Sequence, residues 1–231
     1  MEEQRDLSSC YEGFQRVQDW DYYLTAWHGR SRFKKIKKLL NREKVAHILD
    51  IGCGNGFFLR RILPNALKYG IDVVDIKESS GFYFVQSNIE YGFPFKNESF
   101  DALIAGEIIE HLLDTEYFLR ECLRILKKGG FVVLTTPNLC SLKNLIRMLW
   151  GKQPIAVDFS IGGGTGHIRS FSPQALIFLI KKAGLHIEYI CGDRLPIPFA
   201  SENNQMVLKI EEKMGDVFKR WGNSLVVKAR K

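Results

Sequence analysis

An apolar stretch that runs directly into three alternating glycines constrains this chain most. Residues 48–51 are apolar apart from Asp50, and Gly52, Gly54 and Gly56 follow at once. Glycine lets the backbone turn sharply and lets a ligand approach bare main chain, so the pattern predicts a strand, a tight loop and a helix. About twenty residues later a second predicted strand ends at Asp72, an acid that can accept both hydroxyls of a ribose.

Stretches of strand length alternate with stretches of helical periodicity after residue 44. The predicted strands are 45–51, 68–74, 82–87, 100–105, 131–136, 185–191 and 224–229. The predicted helices are 57–63, one from Glu107, 114–126, 139–150 and one that begins at Ser172-Pro173. This alternation implies right-handed crossovers and helices on both faces of a parallel sheet. We therefore predict a doubly wound α/β fold of about seven strands, mostly parallel, in which the last two strands form an antiparallel edge.

Charge and loop composition predict how the chain is divided. We predict an N-terminal helical cap over residues 1–44, a main domain over 45–231, and lid segments at 139–170 and about 194–222. Residues 30–44 hold eight basic residues and one acidic residue, so their net charge equals the +7 of the whole chain. A solvated helix face is the favoured interpretation, and peripheral contact with anionic lipid or with nucleic acid stays open.

Other features of the composition bear on location. The chain has no uncharged apolar run of about 18 residues, which a membrane-spanning helix requires, and its start lacks the features of a secretory signal. Its five cysteines are scattered and include no Cys-x-x-Cys, which argues against a cysteine zinc site and a disulfide framework. We expect a cytoplasmic protein.

The spacing around the glycines narrows the class of ligand. The loop reads G-x-G-x-G, whereas a dinucleotide fold uses G-x-G-x-x-G. Asp50 precedes the loop, where it would repel a pyrophosphate but attract an ammonium group.

Together with Asp72 and the segments 87–90, 99–104 and 119–130, in this order, the loop resembles the class I S-adenosylmethionine-dependent methyltransferases. The resemblance covers about residues 45–190 and implies a Rossmann-like methyltransferase fold and an enzyme that uses S-adenosylmethionine. The cofactor-binding residues that it implies are Asp50, Gly52, Gly54, Gly56, Asp72, Val73, Asn88, Ile89 and Glu107.

Carboxylates and imidazoles follow the fourth predicted strand. Glu107, Glu110 and His111 have helical spacing, which would place them on one helix face, and His167 lies in the later loop. Glu107, Glu110, His111 and His167 could together hold a divalent cation that leaves room for two substrate oxygens. Alternatively, His111 or His167 is a general base, or both histidines are structural.

The E-x-x-E-H arrangement is similar to ubiquinone-pathway O-methyltransferases and to small-RNA 3′-terminal 2′-O-methyltransferases. The second resemblance implies Mg²⁺ or Mn²⁺, and Zn²⁺ also suits these ligands. We predict methyl transfer to a hydroxyl of a small-molecule acceptor, with His111 and His167 as the catalytic candidates. The alternatives are a metal-dependent RNA-end 2′-O-methyltransferase and a protein that binds S-adenosylmethionine or S-adenosylhomocysteine without catalysis.

Overall fold

A seven-stranded mixed sheet forms the centre of the protein. The computed structural model describes residues 27–76, 79–157, 166–197 and 205–231. The strands are β1 (His47–Ile51), β2 (Leu67–Asp72), β3 (Tyr83–Gln86), β4 (Phe100–Gly106), β5 (Leu126–Pro137), β6 (His186–Gly192) and β7 (Ser224–Arg230). Their order is β3-β2-β1-β4-β5-β7-β6, and β7 is antiparallel to both of its neighbours. The predicted doubly wound α/β fold is confirmed, with the antiparallel strand second from one edge.

Helices and single 3₁₀ turns connect the strands. The helices are α1 (Trp27–Leu40), α2 (Thr115–Ile125), α3 (Leu142–Leu149), α4 (Pro173–Lys182) and α5 (Gln205–Val217), and the 3₁₀ turns are Leu59–Arg61, Ile89–Tyr91 and Ile109–His111. Within the ranges given above, no helix is long and apolar enough to cross a membrane.

Two predicted helices are wrong. The segment 57–63 forms one 3₁₀ turn, and Leu63 ahead of Pro64 takes a φ of 37°, which no right-handed helix contains. The helix predicted from Glu107 is a 3₁₀ turn that begins two residues later, because Glu107 has a φ of 55°. Glu107 and Glu110 therefore do not share a helix face, contrary to what their helical spacing predicts.

The sheet is buried on both faces. Leu49 and Ile51 of β1 point to the face covered by α2 and α4, and Ile48 points to the face covered by α1. This alternation follows from the two-residue repeat of a strand. Both faces are apolar, and the site residues therefore collect at the strand ends.

Side-chain caps fix where the helices begin. Asp114 accepts from the Tyr117 amide at 2.8 Å at the start of α2, and Ser172 accepts from the Ala175 amide at 3.2 Å at the start of α4. Pro173 is the first residue of α4, as its sequence predicts.

The solvated face expected for residues 30–44 is wrong at two positions. Arg32 and Lys35 are each only 8% exposed. The Lys35 Nζ donates to the Gly192 carbonyl at 2.7 Å and to Asp216 Oδ1 at 2.8 Å. Two basic side chains of this helix, Arg32 and Lys35, are therefore packed against the rest of the protein and do not face solvent.

Residues 1–26 of the predicted cap, and 158–165 and 198–204 of the predicted lids, lie outside the described residues. The division into cap, domain and lids stays a prediction.

Candidate active site

The glycine loop is closed by the acid at the end of the neighbouring strand. Gly52, Gly54 and Gly56 have φ values of 72°, 51° and 73°, a region that suits glycine. The Gly54 amide donates to Asp72 Oδ2 at 2.8 Å, and the Val74 amide donates to Oδ1 at 3.0 Å. The Asp72 carboxylate therefore holds the loop after β1 against the end of β2.

Gly56 is required by its neighbour as well as by its backbone. A Cβ at this position would lie 2.2 Å from the ring of Phe82, a separation that no packed carbon pair tolerates. The close approach seats the start of β3 against the loop, so the glycine is needed for packing between two elements.

Asp50 is a buried carboxyl directly before the loop. It is 5% exposed, and burial together with the nearby Asp72 carboxylate raises its pKa to about 8. A cationic group at this point would favour the ionised carboxylate, as the ammonium interpretation requires.

The remaining residues predicted to bind cofactor lie at the same edge of the sheet. Val73 follows β2, and Asn88 and Ile89 follow β3, so the carboxyl ends of adjacent parallel strands bring them beside the loop. Asn88 Oδ1 accepts from the Glu90 amide at 3.0 Å and caps the 3₁₀ turn. Its amide group is thereby oriented by the backbone.

Glu107 stands apart from the other predicted metal ligands because it forms an ion pair. Its Oε2 lies 2.6 Å from Nη1 of Arg32, which also donates to Ser224 Oγ at 3.0 Å. Glu107 Oε1 is buried and has no hydrogen-bond partner. Arg32 was not among the predicted site residues, although it lies four residues before Ile36 and therefore on the apolar face of its helix.

Glu110, His111 and His167 form the main cluster of the site. One side-chain oxygen or nitrogen from each lies within 4.8 Å of the other two. The two imidazole rings meet edge to face at 4.7 Å, and His167 Nε2 lies 3.9 Å from Glu110 Oε1. The structure brings together three of the four predicted ligands, and Glu107 is not among them.

Backbone carbonyls set the tautomer of both histidines. His111 Nδ1 lies 3.0 Å from the Gly166 oxygen, and His167 Nδ1 lies 3.0 Å from the Ala156 oxygen. A carbonyl can only accept, so Nδ1 carries the proton and the lone pair of each neutral ring is on Nε2.

Glu110 is the acid of the cluster, and it is deeply buried. It is 1% exposed, and burial, followed by the charge of Glu107, raises its pKa well above the usual range. Thr136 Oγ1 donates to its Oε2 at 2.9 Å, whereas Oε1 is buried without a hydrogen-bond partner. This carboxyl oxygen is available to a proton or to a cation.

The loop that carries His167 is fastened to the Glu110 segment. The Ile168 and Arg169 amides donate to the Glu110 carbonyl at 3.0 and 3.1 Å, and Arg169 Nε donates to the Leu112 carbonyl at 3.0 Å. Thr136 and Arg169 were not among the predicted site residues, because neither belongs to a motif and both act through contacts distant in sequence.

Residues 23–190, which make up more than half of the chain, match the family model of a methyltransferase domain. The mitochondrial ubiquinone biosynthesis O-methyltransferase of Homo sapiens is 32% identical over 160 residues, which cover 63% of this chain and 42% of that protein. The chain thus spans less than half the length of this curated relative.

Solved structures show the same fold. A SAM-dependent methyltransferase from Thermotoga maritima superposes with a TM-score of 0.64 at 22% identity, over 96% of this chain and 99% of that one. The N-methyltransferase NodS of Bradyrhizobium japonicum, in complex with S-adenosylhomocysteine, superposes with a TM-score of 0.61 at 16% identity, over 97% of each chain. Motif order, strand order and family match agree, and the chain belongs to the class I S-adenosylmethionine-dependent methyltransferases.

Proposed function

We propose that this protein transfers the methyl group of S-adenosylmethionine to a hydroxyl oxygen of a small molecule. The observation that carries the proposal is the Glu110, His111 and His167 cluster at the carboxyl edge of the sheet, next to the end of β4. Proton-accepting groups are needed for an oxygen acceptor, because a neutral hydroxyl is a weak nucleophile. The human relative is named an O-methyltransferase, which supports the same class of acceptor.

The residues around the glycine loop fit the cofactor. Bare main chain at Gly52, Gly54 and Gly56 admits close approach, and Asp72 lies where a ribose diol would bind. The pKa of the buried Asp50 carboxyl is raised to about 8, and the ammonium of the methionine part would favour its ionised form and pair with it. When bound, S-adenosylmethionine supplies a methyl group activated by a sulfonium.

The chain then has two tasks, alignment and deprotonation. Strand ends and the glycine loop hold both reactants in line, which removes much of the entropic part of the barrier. An imidazole Nε2 of His111 or His167 accepts the hydroxyl proton while the oxygen forms its bond to the methyl carbon. The sulfonium of the bound cofactor would supply the leaving group and keep the electron pair of its carbon–sulfur bond.

The same side chains fit a divalent cation, and we propose this as the second form of the site. Glu110, His111 and His167 offer one oxygen and two nitrogens, a donor set that suits Zn²⁺ or Mn²⁺ and less well Mg²⁺. Glu110 Oε1 has no hydrogen-bond partner, and burial raises the pKa of this carboxyl, so a cation at this point would stabilise its ionised form. Such a cation would lower the pKa of an acceptor hydroxyl.

The first experiment separates cofactor binding from chemistry. Calorimetry with S-adenosylhomocysteine is combined with methyl transfer to a panel of phenols, catechols and short RNA ends. We expect His111→Gln and His167→Gln to lower kcat by about 10²–10⁴-fold for the histidine that serves as base, with unchanged affinity for S-adenosylhomocysteine.

The matched control is His186→Gln, since His186 is exposed on β6 and is not part of the cluster. Full activity in both cluster variants would contradict the proposed role. Tight S-adenosylhomocysteine binding with no transfer to any acceptor would favour a binder without catalysis, and transfer to RNA ends alone would favour the RNA alternative.

The second experiment measures metal directly. We expect Mn²⁺ or Zn²⁺ to bind wild type at a one-to-one ratio in calorimetry, and Glu110→Gln to weaken binding at least tenfold. Glu107→Gln, outside the three-ligand cluster, should leave the stoichiometry unchanged. Absence of binding, with activity insensitive to EDTA, would assign deprotonation to histidine alone.

We also propose a reducing, cytoplasmic location. Four cysteines fall in the part of the chain that the structure describes, and all four are free thiols. Free buried thiols such as Cys122 and Cys191 suit a reducing compartment. Fractionation of cells that express the untagged protein tests this location.

A further inference from the structure

Helix α3 exposes a large part of its apolar side to solvent, while Leu142 and Leu145 are half-buried. Ile146, Leu149 and Trp150 are spaced three and four residues apart and share one face, and they are 44%, 86% and 78% exposed. The polar Asn144 is 4% exposed, and its side-chain oxygen accepts from the Ile155 amide at 2.8 Å. An amphipathic helix on a globular protein normally buries its apolar stripe. Here the stripe is presented outward.

A second exposed apolar segment adjoins the start of this helix. Phe218 and Trp221 are stacked with their ring centroids 5.7 Å apart, and both are exposed. The Leu142 amide donates to the Trp221 carbonyl at 3.0 Å, which joins the two segments. We call residues 142–157 and 217–221 together the α3 surface.

The charge of the α3 surface has one sign. Lys143, Lys152, Lys219 and Arg220 are exposed around the apolar side chains, and Arg147 is half-buried. No acidic residue occurs in 142–157 or in 217–221. Isolated exposed apolar residues are ordinary, whereas a contiguous group with a basic rim marks a binding surface.

We propose that the α3 surface docks the protein on an anionic lipid bilayer. Tryptophan and leucine enter the boundary between headgroups and acyl chains, while lysine and arginine reach anionic headgroups through long apolar stems. The outward stripe, the uniform positive charge and the tryptophans all match this occupant.

Helix α1, the basic segment first considered for lipid contact, fits a bilayer less well. Its Lys34 pairs with Glu212 at 3.0 Å, Lys35 pairs with Asp216, and Arg32 pairs with Glu107. Acids pair with these three basic residues, and from Ser31 to Leu40 the helix exposes no large apolar side chain. We therefore assign the proposed lipid contact to the α3 surface and not to α1.

The α3 surface is continuous with the candidate active site. The Ala156 carbonyl, at one end of the surface, accepts from His167 Nδ1 at 3.0 Å. Resting on the proposed function, this continuity would place the histidine cluster near the bilayer and favour an apolar hydroxylated acceptor that is dissolved in it. Docking itself requires neither cofactor nor acceptor.

The test is co-sedimentation with vesicles, performed without cofactor. We expect wild type to bind phosphatidylcholine vesicles that contain 30 mol% phosphatidylglycerol, and to bind pure phosphatidylcholine vesicles at least tenfold more weakly. The pair Leu149→Glu and Trp150→Glu, and separately the pair Lys143→Gln and Lys152→Gln, should each lower the partition coefficient about tenfold or more. Trp150→Ser, a milder change, should lower it severalfold.

Two controls match these changes in chemistry but lie elsewhere. Phe178→Glu alters a side chain on α4 that is 63% exposed, and Lys38→Gln with Arg42→Gln neutralises exposed charges at the end of α1. Both should retain wild-type partition. Loss of binding in the α1 control alone, or equal binding to both vesicle types, would overturn the proposal.

Two further outcomes would also overturn it. Absence of vesicle binding in a wild type that still binds S-adenosylhomocysteine would reject docking and leave the proposed function intact. A dimer in light scattering that Trp150→Ser dissociates, without vesicle binding, would assign the surface to a second copy of the chain.

Discussion

Single residues at the candidate site occupy environments that are unfavourable by themselves. Asp50 is a buried carboxyl with a raised pKa, Glu107 is a non-glycine residue at a φ of 55°, and Glu110 has a buried oxygen without a hydrogen-bond partner. Each arrangement costs free energy, and such costs persist where a ligand or a reaction requires them. All three residues lie at the carboxyl ends of β1 and β4.

Asp50 makes stability depend on pH. Its folded pKa of about 8 exceeds the unfolded value near 3.8, so the favoured protonated form contributes fully at acid pH and its contribution is lost as pH rises toward 8. We expect the Tm of Asp50→Asn, relative to wild type, to increase by roughly 8–16 °C between pH 5 and pH 9, because about three pH units of linkage amount to about 4 kcal/mol.

Calorimetric or fluorescence melting at both pH values measures this difference, and all other titrating groups cancel between the two proteins. The variant should also bind S-adenosylmethionine more weakly at pH 9, since the attraction to the ammonium is gone. A Tm difference that is independent of pH would show that Asp50 does not titrate in this range.

Gly56 combines a left-handed φ with a close neighbour, and Gly129 provides a matched comparison. Gly129 has a similar φ of 74°, but a Cβ there would meet no atom within 4 Å. We expect Gly129→Ala to cost about 1–2 kcal/mol from backbone conformation alone, and Gly56→Ala to cost about 1–3 kcal/mol more because Phe82 must move. Chemical denaturation measures both, and equal losses would refute the packing argument.

At the scale of elements, the residues at the ends of a segment determine whether a helix forms more than the spacing of apolar residues within it. The α2 and α4 starts have capping side chains, and both appear where the sequence places them. The segments after Gly56 and after Glu107 have helical spacing but form single 3₁₀ turns, since residues at positive φ interrupt them. The spacing of residues alone therefore overestimates the helix content of the chain.

Ser172 tests the contribution of one cap. Its Oγ accepts from the Ala175 amide, and Ser172→Ala leaves that amide without its partner. We expect a loss of about 1 kcal/mol, or roughly 2–4 °C in Tm. Ser172→Asp retains an acceptor and should keep wild-type stability, whereas equal losses in the two variants would show that the cap bond is unimportant.

At the scale of the whole molecule, α1 is joined to the site by a buried ion pair. Arg32 links α1 to Glu107 at the end of β4 and to Ser224 at the start of β7. Arg32 and Glu107 side chains are 9% and 20% exposed, so the pair is only weakly screened by solvent. Position 107 is thus held by a residue 75 positions earlier in the chain.

Removal of one partner should therefore be more harmful than removal of both. We expect Arg32→Ala to destabilise the protein by about 3 kcal/mol, because Glu107 is left charged and largely buried. Arg32→Met combined with Glu107→Gln should restore most of that loss. Urea denaturation of the single and double variants measures the coupling, and strictly additive losses would contradict it.

Lys34→Ala is the matched control on the same helix. Its pair with Glu212 is 45% exposed on the lysine side, and exposed pairs contribute little. We expect a change of about 0.5 kcal/mol or less. A loss as large as that of Arg32→Ala would mean that α1 contributes through its overall charge.

The sequence by itself determined the features that depend on neighbouring residues. Strand order along the chain, the glycine loop with Asp72, and the caps at Asp114 and Ser172 are all local, because backbone conformation and capping act within a few residues. These features also specify the family, since motif order follows strand order. The resemblance implied that Asp50, Val73, Asn88 and Ile89 bind the cofactor, and the structure shows that all four lie at one edge of the sheet.

Only the tertiary structure decided which distant groups meet. Arg32 pairs with Glu107, so Glu107 does not join Glu110, His111 and His167, and this depends on how α1 packs across the sheet. The outward stripe of α3 also contradicts its sequence pattern, which favours burial. Periodicity shows that a helix has an apolar side, whereas the packing of the entire chain determines whether that side meets the core or the surroundings.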